Sequence, residues 1–134
     1  MTTLRASTIA MAYRGFRVGA LKPMRVDGKR FTTKSKGKAW QGELPPRVRS
    51  ALADRGEKPF ANIKQGTIAA GFKRVTKRLA ASGEIRHAYS VHDLRHFYAV
   101  TEYRKDKDIY RVCKLLNHSD VKTTMGYLMS LGAT

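Results

Sequence analysis

A chain of 134 residues can bury one compact core but is too short for two ordinary domains. Its 27 Lys and Arg against 10 Asp and Glu leave +17 at pH 7, a balance that repels basic partners and attracts polyanions over long range, so nucleic acid is the leading partner class. No apolar run approaches the roughly 20 residues needed to span a bilayer, no signal-peptide apolar segment appears, and Cys113, the only cysteine, rules out an internal disulfide or a Cys-based zinc cluster and is expected to be a small buried side chain.

Residues 4–14, with Leu4, Ile9, Ala10, Met11 and Ala12, predict a helix that Gly15 ends. From Met24 to Leu44 the pattern becomes strand-like: Asp27-Gly28 is a tight-turn dipeptide, and Phe31-Thr32-Thr33 and Ala39-Trp40-Gln41 flank Lys36-Gly37-Lys38, which predicts a small antiparallel sheet with Trp40 packed in it. Pro45-Pro46 closes the sheet, and Arg47 to Ala53 reads as a short helix. Residues 66–81 place Ile68, Phe72, Val75 and Leu79 on one helical face, expected to pack on the core, with Lys73, Arg74, Lys77 and Arg78 on a solvated basic side where phosphates can dock. After a loop over residues 83–88, Ser90-x-x-Asp93 forms a capping box for a helix that starts near Val91, carries His92 and Arg95 in its first turns and offers Phe97, Val100 and Tyr103 for packing. Ile109, Val112, Cys113 and Leu116 mark another helix, and Ser119 is the expected cap of a last one running through Val121, Met125 and Leu128, on which Tyr127 lies.

The last third carries the chemistry. His92-x-x-Arg95, then Asn117-His118-Ser119, then Tyr127 nine residues after His118, combine a hydroxyl nucleophile with cationic and hydrogen-bonding groups suited to a phosphate that gains negative charge at its transition state. His92-Asp93-Leu94-Arg95-His96 and the run from Leu115 to Tyr127 resemble the two C-terminal boxes of the tyrosine recombinases, the phage-integrase family. The resemblance spans about Gly15 to Leu128 and implies a mainly α-helical α+β catalytic domain with a small antiparallel β-sheet at one edge. It also implies an enzyme that cuts and rejoins double-stranded DNA through a 3′-phosphotyrosyl link, with no metal, ATP or other cofactor and no small-molecule substrate. Self-association on DNA and a cytoplasmic, nucleoid-associated location, in a bacterial or phage-infected cell, follow from the same likeness.

Residue by residue, the family pattern makes Tyr127 the nucleophile and asks for an arginine in a Gly-x-Arg context near the N-terminus, which Gly15-Phe16-Arg17 supplies. Arg17 and Arg95 would grip the non-bridging oxygens of one phosphate, a task suited to permanently charged guanidinium forks. His118 would donate to the same phosphate, and His92 would assist proton movement or orient the phosphate. The family lysine that protonates the departing 5′ oxygen sits between two strands, where Lys34, Lys36 and Lys38 all qualify; Ser35-Lys36-Gly37 at the expected turn favours Lys36. Two positions depart from the pattern: Ala20 stands where an acidic residue usually supports the site, and Asn117 replaces a glycine, a conservative exchange in a left-handed turn. Tyr13, Tyr89, Tyr98, Tyr103 and Tyr110 are read as core or rim aromatics, and His87 and His96 as loop or packing residues. The whole chain, 1–134, is read as one catalytic domain without the N-terminal core-binding domain common in the family. A type IB topoisomerase with the same chemistry, or a non-catalytic DNA-binding remnant, remain as alternatives.

Overall fold

The computed structural model describes residues 1–64 and 66–133. Helix α1, Thr3–Arg14, opens with the Thr2 hydroxyl accepting the Arg5 amide (3.1 Å) and closes at Gly15, whose left-handed φ of 76° returns its N–H to the Met11 carbonyl. Only glycine serves there, since a Cβ would run into the Tyr98 ring as well as strain the backbone. A 3₁₀ turn, Val18–Ala20, leads to the antiparallel sheet β1 (Arg25–Asp27), β2 (Arg30–Ser35) and β3 (Lys38–Glu43), in the order β1-β2-β3. Ser35 pairs with Lys38 across Lys36-Gly37, and both turn residues are left-handed (φ 51° and 76°), as a two-residue primed hairpin turn requires. Phe31 and Trp40 point from the sheet into the core, where they meet Phe16 edge-on or tilted at 4.8 and 5.2 Å.

Helix α2, Pro46–Leu52, starts on Pro45-Pro46, with proline in the first helical turn where a missing N–H costs nothing. Helix α3, Thr67–Ala81, forms as its periodicity predicts, but its apolar stripe is only partly covered: Ile68 is buried while Val75 is 37% exposed. Thr76 takes an inward place instead, because its hydroxyl donates to the Tyr89 carbonyl (2.9 Å) and accepts the Tyr89 amide (3.1 Å), tying α3 to the approach to the next helix. That helix, α4, Val91–Asp106, has the expected capping box, the Asp93 carboxylate accepting from the Ser90 amide at 2.8 Å. Its packing face differs from expectation. Phe97 is 50% exposed and rests edge-on against Tyr13, whereas Arg95, Tyr98, Ala99 and Glu102 turn inward.

Helix α5, Ile109–Leu115, is capped by the Asp108 carboxylate and buries Val112 and Cys113. Helix α6, Val121–Ser130, is capped by Asp120, which accepts from the Lys122 amide (2.9 Å), and not by Ser119, because the Ser119 hydroxyl is taken by the Lys38 ammonium (2.6 Å). Its inward residues are Thr124 and Leu128; Met125 is 37% exposed. Two buried clusters result, one among α1, the sheet and α2, the other joining Tyr98 and Ala99 to Val112, Leu116 and Leu128. Buried Arg14 links them: its guanidinium donates to the carbonyls of Glu43 (3.0 Å) and Leu115 (2.8 Å). None of the described helices is long and apolar enough to cross a membrane.

Candidate active site

Arg95 is the hub. Only 2% exposed, it reaches from the second turn of α4 to donate from one fork nitrogen to the Gly15 carbonyl (2.7 Å) and from the other to the Leu116 carbonyl (3.0 Å), with the Trp40 ring 5.6 Å from its guanidinium carbon. A single side chain thereby fixes the C-terminal end of α1, where the Arg17 segment begins, to the turn that carries His118. Burial, with Arg17 adding like-charge repulsion, lowers its pKa to about 10, which still leaves it charged at neutral pH.

Arg17 stands just before the 3₁₀ turn, half-buried, and among the described residues its guanidinium has no hydrogen bond or ion pair within the protein. It is therefore available to an anion. A cleft of about 220 Å³ is lined by Arg17, Lys36, Lys38, Arg95 and His118, and an adjoining one of about 330 Å³ by Arg17, Lys36, His92 and Arg95. Four positive side chains and two imidazoles thus line two clefts that share Arg17, Lys36 and Arg95. Lys36 is exposed at the hairpin turn and lines both clefts; Lys38 lines the first, with its ammonium held by the Asn117 carbonyl (2.7 Å) and the Ser119 hydroxyl. Lys34 lines neither.

Asn117 adopts φ 60°, as the glycine-like reading of that position requires, and its side-chain amide donates to the Ala39 carbonyl (3.0 Å), so the turn before α6 is stapled to β3. His118 follows. Its Nδ1 lies 2.7 Å from the Thr124 hydroxyl, and its pKa falls to about 4, chiefly through burial and then through the charges of Arg95, Arg17 and Lys38. His92 is also lowered, by burial first and then by His96, Arg95 and Arg17. Both rings are neutral near pH 7.

This carries a consequence for stability. The unfolded chain takes up a proton on His118 near its ordinary 6.5, the folded one only near 4, so the stabilising contribution is complete above pH 6.5 and is lost as the pH falls toward 4. Urea midpoints measured from pH 7 to 4.5 are expected to fall more steeply for the wild type than for His118→Asn; parallel slopes would contradict the burial of a neutral imidazole.

Tyr127 comes from α6 with its ring 6.0 Å from that of His118 and 5.5 Å from that of His96. Its hydroxyl is buried without a hydrogen-bond partner among the described residues; Arg95 approaches it, and two of the five N–H groups of that guanidinium are engaged by carbonyls, which leaves the others free to donate. Burial raises the phenol pKa, and the charges of Arg95 and Arg17 oppose that rise. His96, read from the sequence as a packing residue, lies at the site: its ring is 4.5 Å from that of His92, and its Nδ1 is 3.6 Å from the Asp93 carboxylate. Thr124 and Arg14 are other participants that the sequence did not single out, and Trp40, expected only to pack in the sheet, also lines the smaller cleft. The His-x-x-Arg-His spacing was a signal for His96, but Arg14 is one of many basic side chains and only its acceptors distinguish it. Ala20 is fully buried, and its carbonyl accepts from the Thr33 hydroxyl (2.6 Å), which anchors this turn to β2. Among the described residues no group of three His, Cys, Asp or Glu side chains could hold a metal ion.

No family model and no curated protein sequence matches the chain. Solved structures do. XerA recombinase superposes with a TM-score of 0.69 at 22% identity, covering 91% of this chain and 51% of that one. The XerH site-specific recombinase, in a pre-cleavage complex with its difH substrate, gives 0.66 at 20% identity, covering 95% and 44%, and the integrase from mycobacterium phage Brujita gives 0.71 at 17%, covering 97% and 48%. The chain therefore spans about half the length of the proteins it matches. Six α-helices and a three-stranded antiparallel sheet among the described residues, superposing on these recombinases and this integrase over nearly the whole chain, give it the tyrosine-recombinase fold.

Proposed function

We propose that this chain is the catalytic domain of a DNA strand-transferring tyrosine recombinase, a site-specific recombinase or integrase of a mobile element. The observation that carries the reading is the convergence of Arg17, Lys36, Arg95 and His118 on one cleft, with Tyr127 against His118. In the reaction the Tyr127 oxygen bonds to the scissile phosphorus, its proton passing to an acceptor near it, and the bond from phosphorus to the 5′ oxygen breaks. Lys36 protonates that leaving oxygen. A 5′ hydroxyl of a second strand reverses the step, and because the phosphotyrosyl link keeps the ester's energy the cycle balances without ATP or metal. Arg17, Arg95 and His118 face the five-coordinate phosphorus, where each preorganised donor contributes about 3 kcal/mol. His92, which lines the adjoining cleft and has a lowered pKa, is suited to accept or relay a proton. Self-association on DNA would bring two such sites to the strands that are exchanged.

The test is incubation with a nicked suicide substrate carrying the attachment site, followed by denaturing electrophoresis: a covalent protein–DNA band is expected. The buried hydroxyl of Tyr127 and the alanine at position 20 favour a second reading, a DNA-binding remnant that never forms the band. Binding itself should be strongly salt-dependent. With +17 on 134 residues, affinity for duplex is expected to fall with a log-log slope of about −0.9 per phosphate neutralised. Discrimination between an attachment-site duplex and a scrambled one should be poor, because phosphate contacts position without reading bases. A salt titration on both duplexes checks this; salt-insensitive binding would exclude a phosphate-tracking surface.

A further inference from the structure

We propose that Thr124 is a positioning residue that fixes the tautomer of His118, holding the ring proton on Nε2, the nitrogen not engaged by Thr124. The inference rests on the reading of His118 as a phosphate donor, but its structural half stands on the geometry alone. Thr124 is fully buried on α6, and its Oγ1 lies 2.7 Å from His118 Nδ1. Hydroxyls in helices usually donate back to a carbonyl three or four residues earlier, as Thr8 and Ser7 do to Leu4 and Ser130 does to Tyr127. Thr124 does not: among the described residues its hydroxyl has the imidazole as its one partner.

That single partner decides the direction of the bond. If Nδ1 carried the proton it would donate to Oγ1, and the hydroxyl hydrogen would be left buried with no acceptor. If the hydroxyl donates to Nδ1, only a spare lone pair goes unused, so the second arrangement is favoured. A doubly protonated ring is disfavoured in its turn, because it would lie buried beside Arg95, Arg17 and Lys38. The remaining state is neutral with the proton on Nε2. A neutral imidazole donates from one nitrogen only, so this is the tautomer that can give a hydrogen bond to a phosphate oxygen in the cleft that His118 lines. Thr124 also sits three residues before Tyr127 on the same helix, so the bond ties the orientation of the donor to the helix that carries the nucleophile.

The experiment has two arms. In the first, nitrogen-15 NMR of the ring of His118 in the DNA-free protein at pH 7, assigned with His118→Asn, reads the tautomer directly. The Nε2-protonated form is expected in the wild type and in Thr124→Ser, and a mixture of tautomers in Thr124→Val, which keeps the shape and removes the hydroxyl. An Nδ1-protonated ring or a mixture in the wild type would overturn the proposal. In the second arm, cleavage of the suicide substrate is expected to slow by roughly 10- to 100-fold in Thr124→Val, as when the group that orients a working histidine is lost, with DNA affinity and folding retained and the rate largely recovered in Thr124→Ser. Unchanged cleavage in Thr124→Val would sink the positioning role. If no chain forms an adduct while NMR finds the Nε2 proton, the recombinase reading fails and the Thr124–His118 assignment survives.

Discussion

Tyr127→Phe should abolish covalent attachment to a suicide substrate while leaving duplex affinity within about twofold of wild type. The adduct needs an oxygen at that position, and no other tyrosine shares the site: Tyr98 is locked in the core beside Arg14, and Tyr110 is exposed on α5. Folding should not suffer. The Tyr127 hydroxyl is buried without a partner among the described residues, so removing it deletes a polar group that folding had to desolvate without a return bond, and the Phe variant is expected to be at least as stable as wild type. The two effects together are diagnostic: denaturing gels should lose the adduct band completely while the urea midpoint stays level or rises. An adduct that persists in the Phe variant would remove Tyr127 from the mechanism, and a large loss of stability would mean that its hydroxyl is hydrogen-bonded after all.

The second large effect concerns Arg95, where catalysis and folding are expected to fall together. Truncation to Ala leaves the carbonyls of Gly15 and Leu116 buried and unpaired and opens space against Trp40, a loss of about 3 kcal/mol or more. Arg95→Ala will therefore lose activity in part because the Arg17 segment and the His118 turn are no longer held together. Arg95→Lys separates the roles: it keeps the charge but cannot bond both carbonyls as a fork, so a smaller stability loss with a cleavage rate still reduced by about 10²-fold or more is expected. Arg17→Ala is the complementary case. Its guanidinium has no partner in the protein among the described residues, so stability should be unchanged while cleavage collapses by a similar factor. Denaturant melts and single-turnover cleavage on the three variants decide between these outcomes; equal destabilisation by Arg17→Ala and Arg95→Ala would refute the division of labour.

What the amino-acid sequence determined by itself was local. The Gly15 helix stop, the Ser90–Asp93 capping box, the Lys36-Gly37 hairpin turn and the left-handed Asn117 follow from interactions within a few residues, and each is found where the local chemistry puts it. The spacing from His92 through His118 to Tyr127 was also visible along the chain, and the proposed phosphate-handling role rests on it. What only the tertiary structure decided was which side chains face inward and which polar atoms meet. Arg14 reaches Leu115 across 101 positions, so nothing local could separate it from the other basic residues, and although the motif singled out Arg95, its buried bond to Gly15 across 80 positions was not foreseeable. The same long-range bonds turn the Arg95–Tyr98 face of α4 inward and leave Phe97 outside, and the claim of Lys38 on Ser119 hands the cap of α6 to Asp120. Thr124 and His96 joined the site for the same reason: a buried hydroxyl or ring takes its role from the partner that packing delivers to it, and that partner is set by the assembled fold rather than by neighbours along the chain.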